Sequence, residues 1–217
     1  MNVLNIDAIE AAFRKLKMDF PELNRSLAEC RDQFDDEVAG NMLAGYEMVD
    51  QLLSDGVDIL AKGQLHHWLK LNAIVLCGPD GLAHPDNRSF IAATESHFYE
   101  QCGGGINDVM DWCAYNESKN VWRRASGVFI RILSEPQLFI EGNHRTGALI
   151  MSYLLAREGR PPFVLTNKNA RAFFTPASVF KKSRKHHFMT RLKMPRLTNG
   201  FADFLRDQGK NRFLAGP

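Results

Sequence analysis

Twelve consecutive residues, Gln137-Leu138-Phe139-Ile140-Glu141-Gly142-Asn143-His144-Arg145-Thr146-Gly147-Ala148, gather the side chains best placed to do chemistry. Glu141 offers oxygen to a hard cation, and magnesium is commonly held by one or two carboxylates plus the oxygens of a phosphate. Arg145 adds a permanent positive charge. Gly142 permits a close or positive-φ turn, and Asn143 is a residue type that caps helices. Where a helix starts at such a turn, its first N–H groups have no intrahelical acceptor. With the helix dipole they make an anion site. An ordinary helix–loop–helix corner, with a surface acid and a surface cation, would use the same residues. On the residues alone the two readings stand side by side.

The flanking segments are those that such a turn needs. Residues 121–133 form a strongly amphipathic stretch, with Trp122, Ala125, Val128, Phe129, Ile132 and Leu133 on one side, and it stops at Glu135-Pro136. Residues 148–156 (ALIMSYLLA) are apolar nearly all round, which predicts a central buried helix. It ends at Gly159 and Pro161-Pro162. Further helices are predicted at 6–18, closed by Phe20-Pro21, and at 21–33, 40–60, 65–76, 106–116, 169–182 and 199–208. Between 78 and 98 the texture changes to Gly, Pro, Asp and Asn around short apolar pieces, which predicts a loop with a β-hairpin. The Gly103-Gly104-Gly105 run reads as a turn.

In order and spacing, the twelve residues resemble the Fic (Fido) family motif H-P-F-x-D/E-G-N-G-R-x-x-R, with Phe139, Glu141, Gly142, Asn143 and Arg145 in register. The stretches VWRRASGVFIRILSEP before it and TGALIMSYLLAREGRPP after it are also similar to the family's core helices. Residues 38–41, followed by Glu47-Met48-Val49, resemble its regulatory segment, and 78–98 falls where the family has a β-hairpin flap that docks the target. The resemblance implies an all-α, Fido-type helical bundle with a small β-hairpin flap. It spans a core at 34–205, between an N-terminal helical extension (1–33) and a C-terminal tail (206–217). It also implies transfer of AMP from ATP to a protein hydroxyl (AMPylation). In that scheme Glu141 holds Mg2+, while Gly142, Asn143, residue 144 and Arg145 bind the phosphates of ATP or another nucleotide. Phe139 anchors the loop in the core. A protein target or a regulatory partner is implied, and a homo-oligomer is left open.

Three departures alter that expectation. Gln137 stands where the family has its general-base histidine, and a carboxamide does not take up a proton near neutral pH. Positioned base catalysis is typically worth about 10²–10⁴ in rate, so ordinary AMP transfer should be impaired. His144 replaces the second glycine of Gly-Asn-Gly. It could act as a cation, as in the family's Doc branch, which has a lysine there; as a relocated base; or as a first-turn residue facing solvent. Ala148 replaces the second arginine, the partner of the family's inhibitory glutamate, and Ala39 stands where that glutamate would be, with Asp35 in the place of its Ser/Thr. Joint loss is coherent, because removing one member alone strands a buried charge. Two alternatives to ordinary AMP transfer therefore remain open: a non-catalytic nucleotide- or protein-binding module, and a divergent phosphate or phosphodiester transferase using His144.

Composition limits the rest. The 217 residues are 45% hydrophobic and 24% charged, as in a globular protein. No run approaches 18 apolar residues, so no membrane span is predicted. Cys30, Cys77, Cys102 and Cys113 form no CxxC pair, and 1–16 carries no apolar leader. Reduced thiols in a cytoplasm are expected. Residues 1–60 hold thirteen Asp and Glu against five Lys and Arg, a balance of −8. With a net charge of +2, the remainder carries +10. An acidic segment lying on a basic body is one reading; solvated helix faces of opposite sign are the other. The basic stretch 181–196 has almost no aromatic for base stacking, which disfavours nucleic acid. His66-His67 and His186-His187 read as surface pairs.

Overall fold

A computed structural model describes residues 2–81, 83–100, 105–185, 188–209 and 211–216, with residues 188–193 described by their backbone alone. Among them the chain is all helical: α1 (Ile6–Arg25), α2 (Asp36–Ser54), α3 (His66–Gly81), α4 (Arg88–Tyr99), α5 (Ile106–Tyr115), α6 (Val121–Leu133), α7 (Asn143–Arg157), α8 (Ala170–Lys181) and α9 (Phe188–Gln208), with short 3-10 turns at Pro85–Asn87 and Asn211–Phe213. No strand occurs among the described residues, only isolated bridges at Leu4–Leu214 and Glu135–Arg184.

α7 is the axis of the fold. Every residue from Thr146 to Ala156 is buried, as expected for a helix apolar all round. It packs against α6, α2 and α3. α6 starts where the Asn120 side chain accepts from the Arg123 N–H (3.0 Å) and buries one full stripe, from Val121 to Leu133. Gly147 lies against the Phe129 ring, and Gly45 of α2 faces Leu149 closely enough that a Cβ there would stand 2.4 Å from Leu149 Cδ1.

α1 does not stop at Pro21. It continues to Arg25, because Phe13, Leu16 and Phe20 bury one face of it and outweigh the single hydrogen bond that proline cannot donate. The predicted helix at 21–33 therefore does not form. Instead the Asn24 side chain takes both main-chain groups of Arg31, accepting from its N–H (2.8 Å) and donating to its C=O (2.7 Å), so that 26–35 runs as an irregular strap. Phe34 anchors the strap against Phe13 and Phe20, with ring centroids 5.4 and 5.9 Å apart.

The β-hairpin flap expected at 78–98 is a second correction. α3 breaks at Gly78 (φ 73°), and after the 3-10 turn α4 occupies 88–99. Thr94 and Phe98, spaced i and i+4, are its buried residues, and Phe98 stacks on Phe139 at 5.5 Å. The apolar pieces thus have a helical period, and the Gly and Pro punctuation belongs to the break before α4. The described part of the glycine run is Gly105, which opens α5; Gly103 and Gly104 lie outside the described residues.

The close approach of α2 and α7 is testable. Gly45→Val should lower stability by about 1–3 kcal/mol through overpacking against Leu149. Gly40→Ala in the same helix, with open space around its Cα, should be neutral or raise stability by up to about 1 kcal/mol. Denaturant midpoints read both.

Candidate functional site

The turn between α6 and α7 is built by side-chain-to-backbone hydrogen bonds. Gly142 adopts φ 73° and is the residue that precedes the helix, so Asn143 is not the cap that its type suggests. Asn143 instead reaches back. Its Oδ1 accepts from the Phe139 N–H (2.9 Å), and its Nδ2 donates to the Phe139 C=O (2.8 Å) and, more weakly, to Gln137 Oε1 (3.4 Å). From α3, the buried Asn72 donates to the Glu141 C=O (2.9 Å) and to Thr146 Oγ1 (3.0 Å). A Cβ on residue 142 would lie 2.9 Å from Asn72 Nδ2, so both the space and the left-handed φ demand glycine. Phe139 is buried in the core, as expected.

Gln137 has a structural task. Its amide donates to the Leu133 C=O at the end of α6 (3.2 Å), and its backbone C=O pairs with the His97 ring of α4 (2.9 Å). It lines the cavity described next without offering a proton acceptor there.

With no side-chain cap at Gly142, the first intrahelical bond is Thr146 N–H to Gly142 C=O (2.9 Å). The N–H groups of Asn143, His144 and Arg145 precede it and find no acceptor among the described residues. These residues line a cavity of about 490 Å³. Its remaining walls are Val38, Met42 and Tyr46 of α2, the strap residues Cys30 to Phe34, aromatic side chains including Phe163 and Phe174, and Lys181 at the end of α8. Ala148 also lines it; Ala39 does not, since α2 turns Val38 and Met42 inward, and Asp35 caps α2 by accepting from the Val38 N–H (2.9 Å).

The residues lining the cavity carry charges of both signs. Arg145 Nη1 donates to the Val75 C=O (2.8 Å), closing the end of α3 before its break at Gly78. Burial lowers its pKa, opposed by the surrounding Asp32, Glu141, Asp35 and Glu37. Its charge is therefore met by carboxylates. His144 is turned inward, not toward solvent, and its pKa is pushed down to about 4 by burial, helped by the charges of Arg31 and Lys181 and opposed by Glu29. Its Nε2 is buried without a hydrogen-bond partner.

Glu141 is exposed at the rim and Asp32 shares the cavity wall. No group of three or more His, Cys, Asp and Glu is arranged to chelate a metal among the described residues. One or two carboxylates match the protein's share of a magnesium site completed by phosphate oxygens and water.

Sequence reasoning found the turn but missed Arg31, Asp32, Asn72 and His97. Arg31 is a lone cation in an acidic segment, and Asn72 and His97 sit in unremarkable helical patterns; only the fold brings them here. Lys181 stood at the start of the basic stretch. In that stretch Lys182 pairs with Glu29 (2.5 Å) and Lys185 is buried, so part of the acidic N-terminal segment does lie on basic residues. His66 and His67 bond locally to Gly63 and Gln64, while His186-His187 lies outside the described residues. No helix of the described residues is long and apolar enough to cross a membrane. Comparison of the chain with family models, with curated proteins and with solved structures gives no match.

The inward histidine has a pH signature. Between its ordinary pKa of 6.5 and the folded value of about 4, the unfolded chain binds a proton that the folded chain refuses. Stability should therefore fall by about 3 kcal/mol as pH drops through that window, and stay flat above it. Denaturant midpoints between pH 4 and 7 should show this slope in the wild type and lose it in His144→Gln.

Proposed function

We propose that this protein is a Fic-type domain that binds the phosphates of a nucleotide, with a divalent cation, at the start of α7, and that it no longer performs ordinary AMP transfer. The observation that carries the proposal is the set of three unpaired amides, on Asn143, His144 and Arg145, opening into a cavity of about 490 Å³. Free N–H groups at a helix start, under a favourable dipole, are a general phosphate-binding device. The left-handed Gly142 and the Asn143 clamp fix the turn that presents these residues at the cavity before any ligand arrives, which limits the ordering cost of binding. The aromatic side chains across the cavity give a base an apolar wall.

Glu141 is the residue that would hold magnesium, with Asp32 beside it on the wall. The ion would neutralise phosphate charge and orient the phosphates against the amides. Loss of transfer follows from Gln137. Its amide is engaged with Leu133 and Asn143, and it has no site that takes a proton from an attacking hydroxyl. The helical form of α4 adds to this reading, because residues 88–99 present no edge strand on which a target peptide could pair.

One observation favours a second reading, transfer by His144: its Nε2 is buried and unpartnered in the same cavity. A pKa of about 4 makes it a weak base at neutral pH, so the binding reading is preferred.

Calorimetry with ATP and ADP in the presence of magnesium should give saturable binding. Ligand at a hundred times Kd should raise unfolding stability by about 2.7 kcal/mol. Radiolabelled AMP should not pass from ATP to protein in the wild type. Labelling that disappears in His144→Ala would establish the second reading, and absence of nucleotide binding would remove both. Label gained in Gln137→His would show that the base alone was missing.

A further inference from the structure

Two residues that line the cavity each carry a polar atom without a partner. Arg31 Nε and His144 Nε2 are both fully buried, and neither meets a hydrogen-bonding atom. They stand on different elements, the strap and α7, yet both line one wall of the cavity together with Lys181 from α8. Arg31, His144 and Lys181 thus share one cavity lining, and the charges of Arg31, Lys181 and Glu29 all act on His144. Two cations and an imidazole nitrogen, with Arg31 Nε and His144 Nε2 still unpartnered, are groups that suit an anion.

Arg31 is held in place for this. Asn24 fixes its main chain on both sides, Ser178 accepts from its Nη2, and its guanidinium lies over the Phe174 ring at 5.1 Å from the centroid. Glu29 approaches to 3.6 Å and offsets part of its charge. Lys181 has no carboxylate within ion-pair distance among the described residues. The carboxylate-ringed Arg145, by contrast, is already spent on the Val75 C=O, and Ala148 carries no charge.

We infer that Arg31, Lys181 and His144 bind a second phosphate group, beyond the one seated on the α7 amides, so that the ligand is a nucleoside di- or triphosphate held chiefly by a side chain from the strap. This rests on the proposed phosphate site at α7 and assigns to Arg31 and Lys181 the work that the motif alone gives to arginines of α7. The cavity carboxylates Glu141 and Asp32 are left to the cation that accompanies the phosphates.

The test compares ATP, ADP and AMP by calorimetry, with magnesium, on the wild type, Arg31→Gln and Lys181→Gln. Lys181 is exposed at a helix end, so its substitution leaves the fold intact even if Arg31→Gln loosens the strap. Each variant should weaken ATP and ADP at least tenfold and AMP less than twofold, and Arg31→Lys should fall between wild type and Arg31→Gln. If wild type binds ATP and both variants keep its Kd within twofold, this assignment is overturned while the α7 site stands. Equal weakening of ATP and AMP also overturns it, since the loss would then not be in a second phosphate. If the wild type binds none of the three, the α7 site and this assignment fall together.

Discussion

One side chain holds the turn on which the site depends. Asn143 uses both ends of its amide on the backbone of a single residue, Phe139, and so fixes the loop between α6 and α7 as a closed ring. The ring works because Phe139 is itself immobile, buried and stacked on Phe98 of α4. Asn72 braces the other edge through the Glu141 C=O. With those contacts made, the chain must pass residue 142 at positive φ, and α7 must begin with its amides pointing outward from the ring. A side chain that capped the helix in the usual way would have consumed one of those amides. Asn143 leaves them open.

Burial and charge then decide what the cavity is suited to. Its walls come from α2, the strap, α7 and α8, elements brought together by an apolar core that runs from Leu4 to Phe213. The charged groups are positioned by this packing. Carboxylates of the strap and of the first turn of α2, with Glu141, act on Arg145, while Arg31, Lys181 and Glu29 act on His144. Lys181 and the carboxylates that act on Arg145 are exposed and screened by solvent, whereas Arg31, His144 and Arg145 are half-buried and feel their neighbours more strongly. A neutral molecule gains little from these charges. A cation–phosphate pair, with both signs on one ligand, matches both.

The legible parts of the sequence were those governed by period and by local chemistry. The stripe of α6 gives its bounds to the residue, and the all-apolar run of α7 predicts its central place. Gly142 and Phe139 have the roles that their types suggest. The illegible parts are those where a distant contact overrode a local signal. Pro21 reads as a helix end, yet the buried face of α1 carries the helix past it. Residues 78–98 read as hairpin, because Gly and Pro near Gly78 mask the helical spacing of Thr94 and Phe98. Asn143 reads as a cap, and only the position of the Phe139 backbone redirects it. Arg145 reads as a phosphate ligand, and the bond from its Nη1 to the buried Val75 carbonyl at the end of α3 is a contact its type did not announce. Arg31 carries no signal at all, since its importance comes from a strap that a predicted helix concealed.

These departures hang together energetically. A transferase needs a proton acceptor beside the nucleotide, and position 137 instead supplies an amide that ties the end of α6 to Asn143. A histidine there would have to keep the same two contacts with one ring, or give up part of the ring's support. Further into the helix, an arginine at 148 would add a long cation to a cavity that already holds Arg31, Arg145 and Lys181, with no carboxylate at position 39 to meet it. Alanine at 148 avoids that cost and leaves room. With alanine at 148, the positive charge along the cavity comes from Arg145 and from elements other than α7, among them Arg31 of the strap that Asn24 fixes. The fixed turn and the absence of a base at position 137 are therefore two consequences of the same local packing around Gln137 and Asn143.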